Sequence, residues 1–221
     1  MPLPLGHSLM GYTLHESFAG ENTSLAWRTI LLFVVVANLP DIDFLPGLLE
    51  GEPNKYHHHF FSHSLGSAVF VGGLLGTYFS RWQGKNFWSH FILFAGACYS
   101  HVILDYFTAD TSQPYGVPMF WPFSETYYMS SVAVFMSVNK TNDSGTFIQS
   151  ILVFHNLRVA LWEIVVFAPI LTIMKIVKKS GRLRGTVANV KKTLASCQQK
   201  PQLSEVKATE SQAQNDSSSG Q

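Results

Sequence analysis

The chain has 221 residues, enough for one domain and a tail; 13% of the residues are charged and 47% are apolar. Such low charge, with the apolar residues gathered in runs, is untypical of a soluble protein. The formal net charge of +1 argues against nucleic acid as the main partner. The two cysteines form no CxxC motif, so the sequence implies neither a disulfide framework nor a zinc finger.

Two helices are predicted in the first quarter of the chain. Gly6–Phe18 is expected to form a short helix of mixed character, and Leu25–Leu39 a strongly apolar one. Pro40 is expected to end the second helix, because the residue before a proline is pushed out of the helical region. The acidic sequence LPDID then lies in a turn at the helix end, and Gly47–Tyr56 is predicted as a loop.

Three further apolar runs follow. Leu65–Phe79 is rich in small residues, which would allow close helix packing in a bilayer. Phe87–Phe107 is the third run, and a loop rich in proline, glycine and aromatic residues is predicted at Thr108–Ser124. Phe147–Val177 is predicted as a fourth helix, broken or bent near Pro169.

The remaining stretches are more polar. Glu125–Gly145 has no pattern that assigns it to a helix or a strand. Lys178–Gln221 is rich in Ser, Gln and Lys and nearly free of aromatic residues, so disorder is expected after about Thr193.

The apolar runs of about 15–21 residues compare with the ~20 residues that cross a bilayer. The third and fourth runs are good transmembrane candidates and the first two are marginal; the alternative is a soluble all-α protein with buried core helices. The predicted fold class is all-α: a multi-pass helical membrane bundle with a long irregular loop and a disordered C-terminal tail. Residues 1–178 would form the membrane-embedded domain, and residues 179–221 a polar, largely disordered cytoplasmic tail.

The distribution of basic residues predicts the orientation. Seven of the fifteen Lys and Arg residues lie between Lys175 and Lys192, which places that end in the cytoplasm. Counting back across the spans, Arg81–Asn86 is also cytoplasmic. Asp41–Ser64 and Thr108–Ile148 then lie together on the non-cytoplasmic face.

Three polar clusters meet on that face. They are LPDID at Leu39–Asp43, HHHFFSHS at His57–Ser64, and the pair His101 and Asp105, which lie one helical turn apart. Each has a structural alternative when taken alone: an acidic turn, a solvated loop, or a buried hydrogen-bonded pair. Three clusters on one predicted face favour a metal site.

His7 joins this set if the first two helices form an antiparallel hairpin, since their similar lengths return His7 to the level of Asp41. Imidazoles and carboxylates without thiolates suit Zn²⁺, Mn²⁺ or Fe²⁺, and the number of candidates allows one or two ions. His59 could share a helix face with His63. The candidate metal ligands are His7, Asp41, Asp43, His58, His63, His101 and Asp105.

Two carboxylates are candidates for a general base. Glu163 lies inside the last apolar run, where a carboxylate is a functional candidate by default; the alternatives are an ion pair with Arg158 or an interhelix hydrogen bond. Asp110 lies in the long loop, either behind the site or simply as a turn residue.

The sequence resembles the YdjM-like family of membrane-bound proteins predicted to be metal-dependent hydrolases. The matching motifs are GHSLMG at Gly6–Gly11, LPDIDF at Leu39–Phe44, HHFFSHS at His58–Ser64 and SHVILDYFT…PYGVPMFWPFS at Ser100–Ser124, with a weaker HNLRVALWE at His155–Glu163. By the family register His58 and His63 take the histidine positions, whereas His59 replaces an arginine.

The resemblance implies an inner-membrane helical protein with a divalent-metal site and hydrolase activity. A distant similarity of that family to zinc-dependent phospholipases C suggests phosphoester or lipid-like substrates, by analogy. The expected partners are therefore membrane lipid and a small or lipid-like substrate. The alternative function is a transition-metal-binding or metal-transporting membrane protein without hydrolytic activity.

Overall fold

The computed structural model describes residues 1–18, 27–56, 61–110 and 113–180. Two compact units divide the chain, Met1–Leu171 and Thr172–Gln221. The described part of the second unit, residues 172–180, is helical. The expected disorder after Thr193 lies outside the described residues, and the predicted domain boundary at residue 178 stays a prediction.

The first two helices form the predicted antiparallel hairpin. Helix α1 spans Pro4–Phe18 and helix α2 spans Trp27–Asn38. They approach closely at Gly11, where an added Cβ would lie 2.7 Å from the carbonyl oxygen of Phe33. Near the other end, Asn38 Nδ2 donates to Ser8 Oγ at 3.1 Å. The pairing brings the start of α1 beside the end of α2.

The α-helical part ends at Asn38, as Pro40 predicts, but the chain does not form a simple turn there. It continues as a 3₁₀ helix over Leu39–Asp43 and then as helix α3 over Phe44–Glu50. Pro40 is tolerated because it lies in the first turn of the 3₁₀ helix, where its missing N–H removes no helical hydrogen bond. The predicted loop at Gly47–Tyr56 is therefore wrong in its first half; α3 ends at Gly51, whose φ of 88° is left-handed.

Helices α4 (Leu65–Gln83) and α5 (Phe87–Tyr106) form a second hairpin. The Ser64 side chain caps the start of α4 by accepting from Ser67 N–H, and Asn86 caps α5 by accepting from Ser89 N–H. Because the connecting turn is short, the first residues of α4 and the last of α5 lie at the same end of the bundle.

A core of apolar side chains joins the two hairpins. Phe33 and Val36 of α2 pack with Val71 of α4 and Phe94 of α5. Helices α1, α2, α4 and α5 thus form one bundle. The ends that come together on one side are the start of α1, the end of α2, the start of α4 and the end of α5.

The long loop from Thr108 to Asp143 is irregular, as predicted for its first part. It folds over the start of α4: Leu65 N–H donates to Met119 O at 2.9 Å, and Gly66 N–H to Trp121 O at 2.9 Å. Within the described ranges the chain forms isolated bridges, such as Thr108 with Phe135, but no strand.

The last apolar stretch divides earlier than predicted. Helix α6 spans Ser144–Ile151 and helix α7 spans Phe154–Ser180, which runs unbroken through Pro169. The break falls at residues 152–153 because the Asn156 side chain donates to the carbonyl oxygens of Ser150 and Ile151, both at 3.1 Å. The predicted break at the proline was wrong.

Three described helical stretches are long and apolar enough to cross a membrane: Trp27–Glu50, Phe87–Tyr106 and Phe154–Ser180. Their large apolar side chains are widely exposed, as on Ile92 (63% exposed) and Ile173 (61%), which suits contact with lipid tails. The protein is an all-α, multi-pass membrane bundle.

Candidate metal centre

One end of the bundle gathers five of the predicted ligands. His7 comes from the second turn of α1, Asp41 from the 3₁₀ helix after α2, and His63 from the 3₁₀ turn Phe61–His63 before α4. His101 and Asp105 lie one turn apart near the end of α5. The three imidazoles are fully buried and Asp105 is nearly so.

The two histidines from the second hairpin lie at the middle of the cluster. His63 Nε2 and His101 Nε2 are 3.2 Å apart. Asp41 Oδ1 lies 3.7 Å from the first nitrogen and 3.5 Å from the second. Asp105 Oδ2 lies 3.6 Å and 3.1 Å from the same two nitrogens. Each carboxylate therefore completes a three-atom group with the histidine pair.

These spacings are those of ligands that share an ion. Zn–N and Zn–O bonds of about 2.0–2.1 Å in a tetrahedral site separate neighbouring ligand atoms by about 3.3–3.4 Å. The distances among His63, His101 and either Asp41 or Asp105 run from 3.1 to 3.7 Å. A divalent ion fits against the histidine pair with small adjustments.

His7 extends the cluster on the Asp105 side. Its Nε2 lies 3.7 Å from Asp105 Oδ1, and its ring stacks on that of His101 with centroids 3.6 Å apart. The described residues thus offer two groups that could hold a metal ion, and both include His101: His7, His101 and Asp105, and Asp41, His63 and His101.

Several of these buried polar atoms make no hydrogen bond among the described residues, although oppositely charged or titratable groups lie 3.5–3.7 Å away. Within the described part of the chain, neither nitrogen of His7 and neither carboxylate oxygen of Asp41 makes a hydrogen bond. Burying such groups unpaired costs free energy, so they are normally paired or bound to metal. The donor set, of nitrogen and oxygen without sulfur, fits a divalent transition metal.

Outer contacts orient the two central imidazoles. His101 Nδ1 lies 2.8 Å from the carbonyl oxygen of Ala37, which fixes the proton on Nδ1 and leaves Nε2 for a ligand bond. Asp43 Oδ2 lies 3.1 Å from His63 Nδ1 and accepts from Ser62 Oγ at 3.2 Å. Asp43, predicted as a ligand, therefore lies behind His63 and joins neither metal group.

The pKa values of His7 and His63 shift in opposite directions. Burial and the neighbouring His101 lower the pKa of His7 to about 3, so its imidazole is neutral at pH 7 and able to bind metal. Burial also acts to lower the pKa of His63, but the nearby carboxylates of Asp41 and Asp43 outweigh it and raise that pKa. A metal at His63 Nε2 must therefore displace a proton.

The structure shows where both candidate general bases, Asp110 and Glu163, lie. Asp110 Oδ2 accepts from Gly116 N–H at 3.2 Å within the long loop. Glu163 is fully buried, and its Oε1 accepts from Leu3 N–H at 2.6 Å. An added Cβ on Gly6, next to His7, would lie 3.0 Å from Glu163 Cδ. The carboxylate thus lies against the start of α1.

The histidine run at His57–His59 lies outside the described residues. His58, predicted as a ligand, and His59, the alternative, therefore stay predictions. His63, at the end of the same motif, is the member that the structure places in the cluster.

Sequence reasoning missed Lys140, which lies in the unassigned stretch. Its Nζ lies 3.2 Å from Met1 Sδ and 4.6 Å from the centre of the Phe44 ring. Burial lowers its pKa to about 8, against the opposing effect of the aspartates led by Asp41. One signal was available: Lys140 is the only basic residue between Thr108 and Gly145.

A cavity of about 310 Å³ separates Lys140 from the metal cluster. Asp41 and Lys140 are its charged lining residues, and apolar side chains form the rest of the wall. The other lining residues are Met1, Pro2, Leu3, Pro4, Phe44, Val138, Phe147 and Ile151.

Comparison with known proteins identifies the family of the chain. No curated protein and no solved structure matches the chain. The sequence model of the YdjM inner membrane protein family matches residues 1–181, a range that contains every described residue of the cluster. The chain belongs to the YdjM inner membrane protein family.

Proposed function

We propose that the protein is a membrane-bound, metal-dependent hydrolase that acts on a phosphoester or lipid-like substrate at the bilayer surface. One observation carries the proposal. Five imidazole and carboxylate groups, four of them buried and that of Asp41 partly exposed, come from four separate segments and lie with their ligand atoms at the spacing of a shared ion. A structural core has no need of such an arrangement, because unpaired buried polar atoms weaken it.

The proposed ion is Zn²⁺, with Mn²⁺ or Fe²⁺ as alternatives, bound singly or as a pair. His63 and His101 would hold it together with Asp41 or Asp105, and His7 would join on the Asp105 side. A bound ion of this kind activates a water molecule and polarises a phosphoryl oxygen. Asp43 and the Ala37 carbonyl keep the imidazole nitrogens aimed at it.

Of the two candidate bases, Glu163 is the better supported. Its Oε1 is used by Leu3 N–H, but its Oε2 is buried without a hydrogen-bond partner in the described part of the chain. That free oxygen, beside the residue that precedes His7, can accept a proton from water. Asp110 binds its own loop through Gly116, and we assign it to holding the loop.

The site is proposed to face the non-cytoplasmic side, with the tail in the cytoplasm. Arg81 and Lys85 lie at the opposite end of the α4–α5 hairpin from His63 and His101. Positive residues favour the cytoplasmic ends of spans. A centre at the outer end of apolar helices would meet an amphipathic substrate at the bilayer surface.

Metal analysis and turnover measurements on the purified full chain test the proposal. The protein, loaded with Zn²⁺ or Mn²⁺, is expected to bind stoichiometric metal and hydrolyse phospholipid or generic phosphoesters. Asp105→Ala is expected to lose both properties, whereas Glu125→Gln, an exposed control, keeps both. Stoichiometric metal without turnover on any substrate, together with metal flux in proteoliposomes, would establish transport instead.

A further inference from the structure

The cavity between the metal cluster and Lys140 has two unlike parts. Most of its wall is apolar, formed by the first four residues, Phe44, Val138, Phe147 and Ile151. Its charged side chains are the Asp41 carboxylate, which belongs to the metal cluster, and the Lys140 ammonium. A volume of about 310 Å³ lies at the lower end of the ~300–1,000 Å³ typical of small-molecule sites.

Lys140 is held in place through its neighbours on both sides. Asn139 N–H donates to Asn156 Oδ1 at 2.8 Å, and Asn156 Nδ2 donates to Asn139 O at 2.7 Å. Thr141 N–H donates to Ser150 Oγ at 3.0 Å. Asn156 itself is buried at the α6–α7 break. The backbone at Lys140 is therefore fixed, and its side chain is directed at the cavity by the fold.

Among the described residues, the ammonium of Lys140 contacts a thioether sulfur and an aromatic ring, and it makes no hydrogen bond to an oxygen. These contacts are the Met1 sulfur at 3.2 Å and the face of the Phe44 ring at 4.6 Å. A sulfur and a ring face replace little of the hydration that a half-buried ammonium gives up. The cation is thus available to an anionic ligand in the cavity.

We infer that this cavity binds an alkyl or acyl phosphoester, with Lys140 contacting a phosphoryl oxygen and the apolar wall enclosing the first part of the chain. The inference rests on the proposed function, because the ion proposed to bind beside Asp41 would supply the second positive charge. An anionic head group between an ion and an ammonium is held at both ends, as phosphate-binding sites commonly hold it. The apolar wall selects an amphiphile over free phosphate.

Equilibrium dialysis of octyl phosphate against the full chain in zwitterionic nanodiscs tests the inference, with empty nanodiscs subtracted. Two control ligands divide octyl phosphate into its parts: octanol has the alkyl chain alone, and inorganic phosphate has the head group alone. Octyl phosphate is expected to bind much more tightly than either. Lys140→Met, which keeps the apolar stem, is expected to weaken octyl phosphate binding roughly 10- to 100-fold, the loss of one charge-assisted hydrogen bond, and to leave octanol binding unchanged.

Three further variants make the test specific. Lys140→Arg is expected to retain octyl phosphate binding, and Lys85→Met, on the exposed α4–α5 turn, to match the wild type. Val138→Trp, which fills the cavity, is expected to weaken octyl phosphate but not inorganic phosphate. Equal binding of octyl phosphate by Lys140→Met and wild type overturns the inference, and so does equal affinity for inorganic and octyl phosphate.

These outcomes separate the inference from the proposed function. Dialysis measures binding without turnover, and it is repeated with the metal removed by chelator. Octyl phosphate binding that depends on Lys140 in both conditions supports the cavity assignment even if no hydrolysis is found. If the protein hydrolyses a substrate but Lys140→Met binds octyl phosphate as tightly as the wild type does, the proposed function is supported and the inference is overturned.

Discussion

His101 is the residue on which both metal groups depend. Its Nε2 lies within 3.5 Å of ligand atoms from His63, Asp41 and Asp105, and its ring stacks on that of His7. One imidazole nitrogen binds one ion, so the two groups would compete for His101. The other histidines each belong to a single group.

Substitutions of these histidines should therefore differ in metal stoichiometry. His101→Gln is expected to abolish tight metal binding, because both groups lose a ligand. His7→Gln is expected to remove at most one of two ions, because Asp41, His63 and His101 stay intact. Elemental analysis of the purified variants measures this, with exposed His155→Gln as control; full metal content in His101→Gln would refute the shared-ligand arrangement.

We expect Asp43 to act on a bound metal through His63 instead of binding it, because its carboxylate contacts His63 Nδ1 and belongs to neither metal group. Asp43→Asn keeps the shape but weakens the hydrogen bond to His63 Nδ1, now 3.1 Å long. The expected result is a loss of about 10- to 100-fold in metal affinity with stoichiometry unchanged, the usual effect of removing an outer partner. A competition titration with a chelating dye measures it. Loss of a whole equivalent of metal would instead make Asp43 a direct ligand.

At the scale of secondary-structure elements, the two helical hairpins supply the described residues of the candidate site. The α1–α2 hairpin supplies His7 and Asp41, and the α4–α5 hairpin supplies His63 with the pair from α5. Each hairpin returns its chain to the same end, so residues distant in sequence meet. Any change that separates α4 from α5 should move His63 away from His101.

Adjacent glycines in α4 provide a matched test of that packing. An added Cβ on Gly72 would lie 2.7 Å from Ala95 Cβ and 2.8 Å from Phe91 O, whereas Gly73 has nothing within 4 Å. Gly72→Ala is expected to lower the free energy of unfolding by about 1–3 kcal/mol through overpacking and to weaken metal binding. Gly73→Ala is expected to be neutral or to stabilise by about 0.5–1 kcal/mol. Thermal unfolding in detergent measures both; equal effects would contradict the packing.

What the sequence could predict at this scale follows from helix geometry. The spacing of His101 and Asp105, and the return of His7 to the level of Asp41, need only the helical repeat and rise, and the structure confirms both. The 3₁₀ helix that contains Pro40 and the break before Asn156, where the Asn156 side chain bonds two carbonyl oxygens, do not follow from a helical repeat. No local pattern reports them.

The sequence singles out Lys140 as an isolated basic residue, but it could not place Lys140 at the cavity, for the same reason. Asn139 and Thr141 are held by residues 17 and 9 positions further along the chain. These contacts fix the path of an irregular loop, whose sequence has no helical or strand periodicity from which the path could be predicted. Asp43, likewise, shares its motif and residue type with Asp41, and only the fold distinguishes the orienting carboxylate from the ligand.

The whole molecule has a polar end and a basic end. The metal cluster and the long loop lie at one end, where Ser130 N–H donates to Tyr106 O at the close of α5. Arg81 and Lys85 lie at the other end, around the α4–α5 turn. This asymmetry predicts that the loop faces away from the cytoplasm.

Cysteine labelling in spheroplasts tests the orientation. In a background with Cys98→Ala and Cys197→Ser, a single cysteine is placed at Val132, which is exposed in the long loop, or at Lys85, in the turn at the opposite end. A membrane-impermeant maleimide is expected to label Val132→Cys before lysis and Lys85→Cys only after it, because the bilayer separates the two ends. Metal content, measured on both variants, verifies that the bundle is intact. The reverse labelling pattern would place the cluster in the cytoplasm, and a hydrolase there would draw its substrate from the inner leaflet.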